Sequence, residues 1–180
     1  MLSVSDYQKA KSKTMSYFEQ ANIILTSEEQ EKIEIADFGL NDLERQGLEL
    51  VTYINNEHYC AKELVLFPLQ TCPEHKHPPI GDSLGKTETF RCRYGKVYLY
   101  VEGEPSIDFK ASIPSSSKDY YTVSHEIELH PGDQFTIPPN TLHWFQAGEE
   151  GAIVSEFSTT SRDEYDIFTD PHITRVPKKT

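Results

Sequence analysis

Three features are absent from the sequence of 180 residues, and each absence argues against one class of protein. It has no apolar run long enough to cross a membrane as a helix. It opens without a basic segment followed by an apolar one, so we expect no signal peptide. It has no CxxC pair and an odd number of cysteines, which argues against a disulfide framework and favours reduced thiols in a cytoplasmic protein. The thiols belong to Cys60, Cys72 and Cys92.

Positive charge is also scarce. The 17 Lys and Arg residues are outnumbered by 29 Asp and Glu residues, so the formal net charge is −12 at pH 7. A field of this sign repels polyanions, so we expect neither nucleic acid nor a membrane surface as partner. It does not favour a phosphorylated substrate either, although a local basic pocket can override the global field. Hydrophobic residues make up 37% of the chain, enough for the core of one domain.

The sequence divides into three segments that we expect to form one globular unit. Residues 1–47 have helix-forming composition and are predicted to form an N-terminal helical extension packed outside the main body. From residue 48 the chain becomes a series of short apolar runs separated by Gly and Pro turns, so residues 48–160 are predicted to form an all-β barrel or sandwich. Residues 161–180 are predicted to be an arm that wraps the body or crosses to a second subunit.

Local patterns refine this division. A helix is predicted over residues 5–22, and a second helix opens at the capping box that begins with Thr26. Residues 88–94 and 97–102 are predicted to pair as a hairpin across the glycine turn between them. A further turn is predicted at residues 148–151, where two glycines flank two glutamates, with the last strand starting after it.

The most informative residues are potential metal ligands. His75 and His77 are one residue apart, and strand side chains alternate with period two, so both project from the same face of a strand. Glu88 follows, and His143 lies far downstream. Imidazole and carboxylate groups bind divalent transition metals, and four protein ligands leave positions for water or a substrate. Each residue alone has an ordinary alternative, a polar loop or a surface acid, but the combination predicts a working metal site.

These residues also match a known superfamily. The chain resembles the cupins, in which two histidines flank one residue, a glutamate follows, and a glycine comes after six more residues, here His75, His77, Glu88 and Gly95. The gap between His77 and Glu88 is longer than the family pattern. The second half-motif corresponds to Gly132, Pro138 and His143, with Asn140 at the position of a usual glycine. The resemblance implies an all-β-dominated cupin jelly-roll barrel with the short N-terminal helices packed outside.

Within the cupins the match is more specific. Residues 74–83, 88–103, 131–145 and 156–171 resemble the D-lyxose isomerases, and the resemblance covers residues 48 to 177. It implies interconversion of an aldose and its ketose, with D-lyxose and D-xylulose as the leading pair and D-mannose and D-fructose as a second pair. It also implies Mn²⁺ as the cofactor. Ligand chemistry alone is compatible with Mn²⁺, Co²⁺, Fe²⁺, Ni²⁺ or Zn²⁺.

Two residues are candidates for moving protons. Isomerisation through an enediol needs a base at carbon and groups that stabilise charge on oxygen. Glu156, in the predicted last strand beside an apolar run, is the candidate base, the alternative being a carboxylate at the barrel rim. Lys62, in an otherwise apolar strand, is the second candidate, because a lysine there can point inward and bind a substrate oxygen. Its alternative is a lysine that faces solvent.

Three further residues are candidates for binding the substrate. Asp166 and Arg175 lie in the arm and can bind sugar hydroxyls or assist ring opening; an ion pair is the alternative for both. Phe145 lies two residues after His143, so alternation turns it inward, where it can form an apolar wall for the sugar.

Other functions remain open on the sequence. A cupin sugar-phosphate isomerase would need basic and hydroxyl groups on phosphate, which Ser83, Lys86 and Thr87 can supply in part. An Fe²⁺-dependent cupin oxygenase would use the same four ligands in a dry, apolar pocket. A non-catalytic sugar-binding cupin would not need the ligands together with Glu156. For assembly we expect a homodimer, because barrels of this type expose an edge that a partner covers.

Overall fold

The structure, a computed structural model, describes residues 2–175. Helix α1 spans Val4–Gln20 and begins at Ser3, whose side chain accepts a hydrogen bond from the Asp6 amide. Helix α2 spans Ser27–Glu31 and is closed by a complete capping box between Thr26 and Glu29. Both predicted helices are therefore confirmed. No helix among the described residues is both long and apolar enough to span a bilayer.

Strands dominate the rest of the described chain, in one curled sheet of nine strands. Every strand pairing is antiparallel. The strands are β1 Glu34–Ala36, β2 Leu48–Asn55, β3 Cys60–Leu66, β4 Thr71–Lys76, β5 Glu88–Val101, β6 His125–Leu129, β7 Gln134–Ile137, β8 His143–Ser158 and β9 Ile167–Phe168. The order β1-β2-β3-β8-β4-β9 forms one path, and β5 pairs with β6, β7 and β8. Short 3₁₀ segments lie at Ser115–Tyr120, with a kink at Ser117, and at Asp163–Tyr165.

The predicted hairpin is wrong, because β5 runs without a break from Glu88 to Val101 and pairs with β8 on both sides of Gly95. Gly95 has φ +66°, and a Cβ there would lie 1.9 Å from the Gly151 carbonyl oxygen. The predicted turn at 148–151 is wrong for the same reason: β8 continues through it and only shifts register opposite β5. Both glycines therefore allow close approach of two bent strands rather than a chain reversal.

The curled sheet has an apolar cluster on each face. The inner cluster fills the barrel and includes Leu64, Phe90 and Phe145. The outer cluster lies between the sheet and α1 and includes Phe18 and Val65. Helix α1 is thus packed outside the barrel, as predicted, and the prediction of an all-β-dominated barrel fold is confirmed.

The described part of the arm packs against its own barrel. Strand β9 pairs with β4, which places Phe168 opposite His75, and the Thr169 amide donates to the Glu74 carbonyl at 3.1 Å. Glu74 is buried, and its carboxylate accepts from the Thr169 hydroxyl at 2.6 Å. Residues 161–175 therefore wrap the body, while residues 176–180 of the predicted arm lie outside the described residues.

Candidate active site

Three histidines converge at one end of the barrel interior. His75 in β4 and His143 at the start of β8 are register partners, and His77 follows immediately after β4 ends. All three are buried, and each offers a ring nitrogen within 4.8 Å of those of the other two. The proposal of a metal site from the His75–His77 spacing thus has a matching geometry here.

Hydrogen bonds fix how the three rings face. Each ring is held through Nδ1 by a main-chain carbonyl or a carboxylate, so Nε2 of each ring is left for a metal. Nε2 of His143 is fully buried and lies 3.0 Å from a carboxylate oxygen, Oε1 of Glu88, with which it forms no well-aligned hydrogen bond among the described residues. A buried ring nitrogen directed at a carboxylate in this way fits two ligands that share one metal ion. The three pairs are His75 with Pro73 O at 2.8 Å, His143 with Thr141 O at 2.9 Å and His77 with Asp166 Oδ1 at 2.5 Å.

Glu88 adds an oxygen to the three nitrogens. Its Oε1 lies 3.1 Å from Nε2 of His77 and 3.0 Å from Nε2 of His143, and its Oε2 lies 2.7 Å from Nζ of Lys86. Burial alone would raise the pKa of Glu88, but the Lys86 ammonium and His77 outweigh it and hold that pKa well below its usual range. An ionised carboxylate beside three imidazoles fits a divalent transition-metal ion.

Lys86 is one of two site residues whose places the sequence did not predict. Its buried Nζ lies 2.7 Å from Oε2 of Glu88 and 2.8 Å from Oε1 of Glu156. Burial opposes the charge, but the two carboxylates raise the pKa of Lys86 well above its usual value. The signal was available: Lys86 stands two residues before Glu88, so period-two alternation places it on the ligand face. Sequence reasoning considered it only as a phosphate ligand.

Glu156 and Lys62 are cross-strand partners in β8 and β3. Oε1 of Glu156 also accepts from the Ser158 hydroxyl at 3.0 Å, so its surroundings are more polar than the apolar run beside it suggests. Lys62 is buried, and its Nζ donates to Ser161 Oγ at 2.9 Å and to Asp163 at 2.9 Å. Both candidates line the barrel interior.

The arm contributes the remaining polar groups. Arg175 contacts Glu34 and, at 3.3 Å, Oδ2 of Asp163. Burial raises the pKa of Asp163, but Lys62 and Lys86 outweigh it, so that pKa lies well below its usual range. Sequence reasoning did not single out Asp163, because nothing in its local pattern shows that the arm folds back on Lys62.

Two adjoining cavities give access to these groups. An inner cavity of about 40 Å³ lies inside the barrel, and eight of the nine predicted site residues line it. The ninth, His143, is fully buried beside His75. Phe145 lines the inner cavity and packs edge-on against Phe90, with ring centroids 5.0 Å apart. An outer cavity of about 270 Å³ opens next to it. The eight are Lys62, His75, His77, Glu88, Phe145, Glu156, Asp166 and Arg175.

Solved structures share this fold. The L-ribose isomerase of Acinetobacter sp. DL28 in complex with L-ribose superposes with a TM-score of 0.81 at 14% identity, covering 96% of this chain and 94% of that one. The ligand-free L-ribose isomerase of Cellulomonas parahominis gives a TM-score of 0.77 at 16% identity, covering 95% and 94%. At such identities the similarity shows the fold alone.

Sequence relatives are much more similar. The D-lyxose ketol-isomerase of Cohnella laeviribosi is 62% identical over 173 residues, which are 96% of this chain and 95% of the relative. The D-lyxose/D-mannose isomerase of Thermosediminibacter oceani is 63% identical over 178 residues, which are 99% and 98% of the two chains. The family model for D-lyxose isomerase matches residues 7–179. The chain therefore belongs to the D-lyxose isomerase family and is an isomerase.

Proposed function

We propose that this protein interconverts D-lyxose and D-xylulose through an enediol, and D-mannose and D-fructose as a second pair. One observation carries the proposal: three of the four proposed donors, His75, His77 and Glu88, line the same cavity as Glu156, and His143 lies directly behind them. The relatives named above, one a D-lyxose ketol-isomerase and one a D-lyxose/D-mannose isomerase, support the choice of sugars.

His75, His77, Glu88 and His143 would hold the cofactor. A divalent cation supplies Lewis-acid polarisation of the two sugar oxygens at the reacting carbons. We propose Mn²⁺, on the family resemblance, while the same donors also accept Co²⁺, Fe²⁺, Ni²⁺ or Zn²⁺. The bonds from Nδ1 keep the three rings oriented with Nε2 toward the site, and Asp166 does this for His77.

Glu156 is the base in this proposal. Its Oε1 is held by Lys86 and Ser158, while its Oε2 makes no hydrogen bond to a described residue. Oε2 is therefore available to take the proton from C2 of the open-chain aldose and return it to C1. The hydroxyl proton on O2 passes to O1 in the same conversion, so the C2 hydroxyl becomes the carbonyl and the C1 carbonyl becomes a hydroxyl. Lys86 fixes the carboxylate in place through its ion pair at 2.8 Å.

Lys62 and the arm residues bind the sugar in this proposal. The Lys62 ammonium has three N–H donors, two of which are used by Ser161 and Asp163, so one remains for a sugar oxygen. Asp166 and Arg175 also line the inner cavity, where they reach hydroxyl groups, and Phe145 packs on the carbon skeleton.

The alternative functions receive less support. A sugar-phosphate isomerase would need Lys86 for phosphate, but two carboxylates already neutralise that ammonium. An oxygenase would favour a dry, apolar pocket, whereas the inner cavity is lined by Lys62, Glu156 and Asp163 among other charged groups.

We further propose a homodimer in the cytoplasm. Three unpaired cysteines fit a reducing compartment. Large apolar side chains stand exposed on the outer face of the sheet, where Phe157 and Ile54 flank Ala61 on neighbouring strands. A second copy covering them would remove that surface from water. Light scattering on the purified protein measures its molecular mass in solution. The mass of a single chain would contradict the proposed dimer.

The test of the proposed function is turnover after metal exchange. The protein is stripped of metal, loaded with Mn²⁺ and given D-lyxose or D-mannose, and ketose formation is followed. Metal-dependent D-xylulose is the expected result. No ketose from either sugar, with Mn²⁺ bound in stoichiometric amount, would overturn the proposal.

A further inference from the structure

The inner and outer cavities differ in what they can hold. A group the size of a water molecule needs a cavity volume of about 10–15 Å³. The inner cavity of about 40 Å³ therefore holds three or four such groups. That is the size of the reacting end of an aldose, two carbons with their oxygens. A whole pentose, with five carbons and five oxygens, extends beyond it. The outer cavity, of about 270 Å³, is large enough for the rest of the sugar.

Three side chains form the passage between the cavities. His77, Lys86 and Asp166 line both of them. An open-chain sugar whose reacting carbons lie beside Glu156 and the histidines therefore passes these side chains and places its far end in the outer cavity. The remaining polar lining of the outer cavity consists of Glu57, His58, Ser83, Thr159, Thr160 and Arg162.

Arg162 differs from the other cations near the site. Lys62, Lys86 and Arg175 are each bound to carboxylates. By contrast, no hydrogen bond or ion pair joins the Arg162 guanidinium to any group in residues 2–175. A guanidinium carries five N–H donors in a fixed planar fork, which suits a pair of neighbouring hydroxyls.

The main chain beside Arg162 is held firmly. The Ser161 amide donates to Asn55 Oδ1 at 3.0 Å, and the Asn55 amide group donates back to the Ser161 carbonyl at 2.9 Å. The Ser161 hydroxyl also accepts from Lys62 at 2.9 Å. Arg162 is thus an exposed cation on a fixed segment that lines the outer cavity, with no charged or hydrogen-bonding partner for its side chain in residues 2–175.

We propose that the outer cavity is the subsite for the far end of the open-chain sugar, with Arg162 binding the hydroxyls at C4 and C5. This inference rests on the proposed function. D-lyxose, D-mannose and L-ribose have the same configuration at C2 and C3; L-ribose differs from D-lyxose at C4, and D-mannose is longer by one carbon. The reacting end is therefore the same for all three, and the outer cavity distinguishes them.

The experiment compares Arg162→Met and Arg162→Lys with the unchanged protein, all loaded with Mn²⁺. Arg162→Met is expected to raise KM for D-lyxose about tenfold, to leave kcat within about threefold and to reduce the preference for D-lyxose over L-ribose. Arg162→Lys is expected to recover part of the loss in KM. Arg91→Met, at an exposed arginine on the outer face of β5, is the matched control and is expected to change none of these values.

The outcomes separate this inference from the proposed function. If the unchanged protein converts D-lyxose but Arg162→Met keeps the same KM and the same sugar preference, the subsite is wrong and the isomerase proposal stands. If the unchanged protein forms no ketose, the proposed function fails. Calorimetric binding of D-arabinitol, the alditol of D-lyxose, tests the subsite without turnover. Equal affinity in the unchanged protein and Arg162→Met overturns it, and a loss of about tenfold supports it.

Discussion

Buried carboxylates occur on both faces of the curled sheet and are stabilised in opposite ways. Inside the barrel, Glu88 and Glu156 share the Lys86 ammonium. On the outer face, under α1, Glu49 is fully buried with one hydrogen bond, from Gln70 Nε2 at 3.0 Å, and its Oε2 has no partner among the described residues. Burial raises the pKa of Glu49 to about 8, against the weaker effect of the Gln70 bond. The inner carboxylates thus face a shared cation, whereas the outer carboxylate has only a neutral hydrogen-bond donor beside it.

Replacing the proposed base, Glu156, tests whether the inner carboxylates serve catalysis. Glu156→Gln keeps the shape of the side chain but cannot accept a proton, so we expect kcat to fall by about 10²–10⁴-fold. Bound Mn²⁺, measured by elemental analysis, is expected to stay the same. Glu149→Gln, at an exposed glutamate of β8, is the control. Activity that survives Glu156→Gln would mean that the base is another residue.

Removing the Lys86 ammonium tests how much the inner carboxylates depend on it for the stability of the fold. Lys86→Met leaves Glu88 and Glu156 buried without their shared ammonium, so the free energy of unfolding of the metal-free protein is expected to fall by about 3–5 kcal/mol. Urea unfolding measures it. Adding Glu156→Gln to Lys86→Met is expected to recover part of the loss, because the two side chains are in contact. A loss below about 1 kcal/mol would show that the carboxylates do not depend on Lys86.

Removing the charge that orients one proposed ligand, His77, is expected to have a smaller effect, on the affinity for the metal. Asp166→Asn removes the negative charge that orients His77, so affinity for Mn²⁺ is expected to fall about 10–100-fold. Metal titration by calorimetry measures this. Asp170→Asn is the matched control, since Asp170 is a buried arm carboxylate that binds His172, outside the donor set. Equal affinities in the two variants would contradict the role of Asp166.

We expect the smallest effect from replacing the outer carboxylate, Glu49, and this effect on stability depends on pH. In the unfolded chain Glu49 ionises near 4.5, and in the folded chain near 8. Between these values the unfolded state has released a proton that the folded state retains, so the stability present below pH 4.5 is lost as pH rises. Glu49→Gln is expected to nearly match the unchanged protein at pH 4.5 and to be more stable by about 1–2 kcal/mol at pH 6. A difference that stays constant with pH in urea unfolding would contradict this.

The same comparison explains which features the sequence could predict. Period-two spacing identified His75 and His77, since alternation depends only on neighbours in the chain. Glu49 had no such signal: its position between Leu48 and Leu50 indicates the solvent face of a strand, and only the packing of α1 turns that face into an interior.

Contacts distant in sequence were the other source of error. Gly95 was interpreted as a turn, although its lack of a side chain serves the approach of β8 more than fifty residues later. Asp163 was not identified because its role depends on the arm returning to Lys62. Spacing within a strand was therefore informative, and approach between distant strands was not.

The position of the arm has a consequence for biosynthesis. Asp163, Asp166 and Arg175 all follow the barrel in the chain, so they leave the ribosome after His75, His77, Glu88 and His143. A chain that stops at residue 160 would therefore contain all four proposed donors but lack the carboxylates that orient His77 and pair with Lys62.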